Sequence, residues 1–91
     1  MPAPAPDGAV PVAIEIADFS FGQPRTVAVG GVVQVSNADA EAHTLTAEDG
    51  TFDTGSVDEG TVVSFTAPTV PGTYSFYCDI HPSMTGSLVV E

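Results

Sequence analysis

Residues 71–84 read Pro-Gly-Thr-Tyr-Ser-Phe-Tyr-Cys-Asp-Ile-His-Pro-Ser-Met. The stretch divides at Cys78. Before it, Tyr74, Phe76 and Cys78 alternate with Ser75 and Tyr77, a period of two that sets the first three on one face of a strand. Pro71-Gly72 supplies the turn that starts the strand. After it, Pro82 cannot donate to a ladder, so the chain must leave the sheet as a short loop. That loop carries a thiol at Cys78, an imidazole at His81 and a thioether at Met84, three residues apart each time.

Outward from this stretch the same period recurs. Val12, Ile14 and Ile16 alternate with Ala13 and Glu15. Val27 and Val29 alternate before the Gly30-Gly31 turn. Val33 and Val35 run to Ser36-Asn37-Ala38-Asp39, and His43 to Thr46 forms a short strand closed by Glu48-Asp49-Gly50. Val62 to Thr66 places Val63 and Phe65 on one face, and Gly86 to Glu91 alternates again. The chain holds 26 β-branched residues against two leucines, and branching at Cβ suits a pleated sheet better than a helix. No segment longer than a turn or two reads as helix. Seven or eight short strands with a turn signal every eight to twelve residues predict an all-β, Greek-key β-sandwich with antiparallel pairing. Phe19, Phe21, Phe52, Phe65 and Phe76 are its expected bulky core members. Residues 1–10, with Pro2, Pro4 and Pro6, read as an extended Pro/Ala-rich tail, and residues 11–91 as one domain.

Charge removes several functions. Twelve acidic residues face a single Arg25 and no lysine, for a net charge of −11. Without cations to neutralise phosphates the chain is not built for nucleic acid, and a phosphate loop that requires lysine is ruled out. Anionic membranes would repel it, and no apolar run is long enough for a membrane span. A basic partner would be drawn in from a distance. One cysteine excludes an internal disulfide framework and the usual four-ligand structural zinc sites. Met1 running straight into Pro-Ala repeats predicts a mature chain, periplasmic or secreted, whose export signal or anchor is removed.

Taken singly, Cys78 reads as a small buried hydrophobe, Met84 as gap filler and His43 as a satisfied polar residue. Their spacing argues otherwise. If the strand of His43 neighbours that of Cys78, then His43, Cys78 and His81 form a set of two imidazoles and one thiolate, with Met84 as a weaker fourth donor. That is the donor set of a blue-copper electron-transfer site. Zinc is the chemical competitor, but structural zinc sites use Cys and His without Met.

These motifs resemble the cupredoxin family over residues 12–91. Phe19 to Asn37 is similar to its aromatic-Pro-apolar strand, Gly turn and Val-rich strand ending in Asn. Phe52-Asp53-Thr54-Gly55 resembles its Phe-Asp-Ser-Gly turn, and Pro71 to Cys78 its strand before the thiolate. The two-residue gap between His81 and Met84 is most similar to the amicyanin-type loop, with plastocyanin as the broader relative. The resemblance implies a single type 1 copper on His43, Cys78, His81 and Met84. It further implies Asn37 and Thr44 behind the ligands and an electron exit at Ile80, His81 and Pro82. Thr44 stands where the family often has Asn, and Asp79-Ile80 where the amicyanin type has Thr-Pro. The implied role is a monomeric, non-enzymatic electron shuttle meeting redox partner proteins, such as a basic cytochrome or oxidoreductase. Two other readings stand beside it: a copper carrier or storage module, and an adhesion-like sandwich without metal.

Overall fold

The computed structural model describes residues 11–91; the expected tail at residues 1–10 lies outside them. Seven strands form: β1 (Val12–Ile16), β2 (Arg25–Val27), β3 (Val32–Asn37), β4 (Thr46–Ala47), β5 (Val62–Thr66), β6 (Gly72–Tyr77) and β7 (Thr85–Val90). They make two layers, a sheet of order β1-β3-β5 and a sheet of order β2-β7-β6-β4. No helix among the described residues is long and apolar enough to cross a membrane.

The alternation in the sequence becomes the two faces of each sheet. Ile14 and Ile16 of β1 and Val33 and Val35 of β3 point inward from one layer, and Leu88 and Val90 of β7 and Phe76 of β6 from the other. Registers such as Ile14 with Val35, and Tyr74 with Leu88, align these inward positions. A slip of one residue would turn each set to solvent, so the apolar pattern itself fixes the pairing. Gly86 lies opposite Phe76. A Cβ there would come within 2.7 Å of the Phe76 ring, so only glycine leaves the ring its place. Phe21 meets that ring edge to face with centroids 4.9 Å apart, and Phe52 stacks on Phe65 at 4.7 Å.

Three expectations change. The sheets are mixed, because β1 pairs with β3 and β2 with β7 in parallel. Turn signals identify hairpins and say nothing about crossovers between layers. The strand expected over residues 43–46 shrinks to β4, with His43 joined instead to Val57 by an isolated antiparallel bridge. Phe19 is no core residue: it is 49% exposed. It sits in the tight turn from Ala17 to Ser20, where Asp18 and Phe19 both have positive φ, 53° and 57°.

Candidate metal centre

The β6–β7 connection closes on itself. The Cys78 amide donates to the Met84 carbonyl at 3.0 Å and the Met84 amide to the His81 carbonyl at 2.9 Å. The loop thereby turns both sulfur side chains inward, and Cys78 and Met84 are buried. β4 pairs with β6, Thr46 opposite Tyr77, which carries the preceding segment alongside this loop. His43 arrives on its bridge to Val57, exchanging amide and carbonyl bonds of 3.1 and 2.7 Å.

The centre is a buried pair. Cys78 Sγ lies 3.7 Å from His43 Nδ1, and both residues are 0% exposed. The sulfur also accepts two backbone N–H groups, from Thr44 and His81, each at 3.3 Å. Such donors suit a sulfur that carries negative charge. His81 is half-buried, its ring centroid 5.2 Å from that of His43. Among the described residues no three His, Cys, Asp or Glu side chains form a group that could hold an ion. The tight part is therefore one imidazole and one thiol, with the second imidazole beside it and Met84 buried at the end of the same loop.

Asn37 and Thr44 brace this pair. Buried Asn37 donates through Nδ2 to the carbonyls of Glu41 and Val57, both at 2.8 Å, and accepts the Asp39 amide. It thus ties the loop before His43 to the segment on which His43 is bridged. Thr44 Oγ1 accepts the Asp79 amide at 2.8 Å, joining the two candidate ligand segments directly. A hydroxyl chain continues outward, Thr44 to Thr46 at 3.0 Å and Thr46 to the Asp53 carboxylate at 3.2 Å. Ile80 and Pro82 are exposed beside His81.

Two residues were not legible from sequence. Asp39 bonds His43 Nε2 through Oδ2 at 2.9 Å and accepts the amides of Asp18 and Phe19 at 2.8 and 2.9 Å. Phe19 packs edge-on against both imidazoles, each with centroids 5.1 Å apart. A four-residue spacing brings side chains together only on a helix, and residues 38–42 form none, so nothing signalled the first. Nothing signalled the second, because a two-residue turn with both φ positive ordinarily announces itself by Asn or Gly.

The Phe19 amide holds the Asp39 carboxyl below its ordinary range. Burial opposes this, and the Asp18 amide and His43 add to it. The Thr51 hydroxyl, followed by the Thr51 amide, does the same for Asp49. A lowered folded value means stability present above the ordinary carboxylate range and lost as pH falls through the folded value. Urea unfolding of the metal-free protein should therefore show stability falling with acid, with Asp39→Asn and Asp49→Asn each flattening the fall. An acid limb unchanged in both variants would contradict this.

A first-row ion bound to nitrogen and sulfur at about 2.0–2.3 Å in a trigonal site separates neighbouring donors by roughly 3.5–4 Å. The 3.7 Å pair meets that spacing.

Among known proteins, the model of the cupredoxin-like domain family matches residues 2–90. No curated protein sequence matches the chain. The Cu-containing nitrite reductase from Thermus scotoductus SA-01 is similar in structure, with 26% identity and a TM-score of 0.80 over 91% of this chain. The chain spans only 23% of that enzyme. An oxidised proline-to-alanine variant of amicyanin matches at 26% identity and a TM-score of 0.78, covering 96% of this chain and 90% of amicyanin. A Cu(I) methionine-to-alanine variant of amicyanin matches at 25% with the same TM-score and coverage.

Proposed function

We propose that this chain, which belongs to the cupredoxin-like domain family, is a one-electron carrier holding a single copper on His43, Cys78, His81 and Met84. The observation that carries the reading is the buried Cys78–His43 pair at 3.7 Å, with two amides aimed at the sulfur. Soft thiolate and thioether donors combined with imidazoles select copper over the oxygen-loving ions. Bound there, copper would supply a Cu(II)/Cu(I) couple.

The chain's own residues would hold the donors still. His43 is fixed by its bridge to Val57, Cys78 by the closed loop, and the two segments by Thr44. A frame braced this way leaves the donors little to rearrange when charge changes. His81, with Ile80 and Pro82 beside it, would be the exit toward a partner. With a net charge of −11, the partner is best read as a basic redox protein, a cytochrome or an oxidoreductase. Electrostatic steering would speed that encounter more than it tightens the complex. The role is that of a carrier and not of an enzyme, in a monomer working outside the cytoplasm. Residues 11–91 would be the working domain and residues 1–10 its tail.

Titrating the metal-free protein with Cu(II) tests the site. An intense visible band should grow and saturate at one ion per chain. Saturation with only the faint colour of copper bound by nitrogen and oxygen would contradict the reading.

A further inference from the structure

The turn from Ala17 to Ser20 is out of keeping with its sequence. Its two central residues, Asp18 and Phe19, are both left-handed. That geometry twists in the sense a hairpin needs, but it is normally left to Asn-Gly or Asp-Gly because a Cβ is strained there. Asp tolerates the first of these positions, but Phe19 stands where glycine is expected, and its Cβ is strained there. Something outside the turn must hold it.

Asp39 does. Its two oxygens accept the two successive amides of the strained residues, at 2.8 and 2.9 Å. Consecutive N–H groups in such a conformation form a concave anion receptor, and a carboxylate whose side chain is 12% exposed fills it. The same carboxylate reaches His43 Nε2 at 2.9 Å. A carboxylate without its proton can only accept, so Nε2 carries the hydrogen, and in the neutral imidazole Nδ1 then presents its lone pair to Cys78 Sγ. The strained turn in its turn sets the Phe19 ring against His43 and His81 at equal centroid distances of 5.1 Å.

We propose that Asp39 is a positioning residue acting at two places at once. It fixes the tautomer of His43 that leaves Nδ1 free, and it clamps the turn that lays Phe19 over both imidazoles as a cover. The proposal deepens the copper reading and rests on it only for its purpose. The tautomer and the cover are properties of the metal-free protein.

The test is nitrogen–proton correlation NMR on the metal-free, ¹⁵N-labelled chain at about pH 8, above the imidazole range. Wild type should show His43 as the neutral Nε2–H form, with Phe19 ring protons in contact with both imidazoles. Asp39→Ala should lose the preference for that tautomer and the Phe19 contacts together. Phe19→Leu should lose only the ring contacts and keep the tautomer, which separates the two roles. Should Asp39→Ala fail to fold, the wild type carries the test: His43 found as the Nδ1–H form, or Phe19 without contact to both imidazoles, would overturn the proposal. Persistence of the Nε2–H preference, or of the Phe19 contacts, in Asp39→Ala would also overturn the proposal. Loss of such an orienting partner typically weakens metal binding about 10–100-fold, so Cu(II) affinity of Asp39→Ala should fall by that order. Failure of the wild type to bind Cu(II) would sink the copper reading and leave the tautomer result to decide the role of Asp39.

Discussion

Cys78→Ser is expected to abolish the intense visible absorption of the copper-loaded protein. That absorption belongs to a copper–thiolate bond, and the chain has no other thiol to form one. The substitution is a clean one structurally. Serine occupies less space than cysteine, and its hydroxyl can accept the same two amides, from Thr44 and His81, that now point at Sγ. The fold should therefore survive, and circular dichroism of the metal-free variant should match that of the parent. Imidazole donors remain, so a weakly coloured Cu(II) complex can still form. An intense visible band persisting in Cys78→Ser would remove Cys78 from the site.

The largest loss of stability is expected for Phe76→Ala. Phe76 is 2% exposed and fills the middle of the sandwich, its ring against Phe21, Phe52 and the bare backbone of Gly86. Truncation removes the apolar contact and leaves a cavity that Gly86 cannot fill. Buried Phe→Ala changes cost about 3–5 kcal/mol, a large share of the roughly 5–15 kcal/mol that holds a domain folded. Phe76 also lies two residues before Cys78 on β6, so the loosened strand end should weaken copper binding too. Urea unfolding of metal-free protein checks the value. A loss below about 1 kcal/mol, within the range of ordinary substitutions, would mean the centre of the core is misplaced.

The sequence made some parts plain and hid others for physical reasons. β1 and β5 were legible to the residue, because a two-residue period in β-branched side chains can be satisfied only by a half-buried strand. The loop from Cys78 to Met84 was legible because the donor types and their spacing lie within seven consecutive residues. The parallel pairs β1–β3 and β2–β7 were hidden, since they depend on crossovers and not on adjacent turns. Phe19 was misread as core because a phenylalanine's apolarity says nothing of a strained backbone. The clamp that holds it comes from Asp39, about twenty residues away. The backbone-bracing role of Asn37 likewise rests on partners as distant as Val57.

An electron carrier and a copper carrier would share this fold and this donor set, and they part at release. The deciding measurement follows the visible band of the copper-loaded protein through repeated rounds of reduction and reoxidation in the presence of a competing Cu(I) chelator. A one-electron carrier should bleach on reduction and recover its full absorption on reoxidation, round after round, with the chelator uncoloured. Progressive loss of the band as the chelator takes up Cu(I) would contradict the account and identify a protein that delivers its metal.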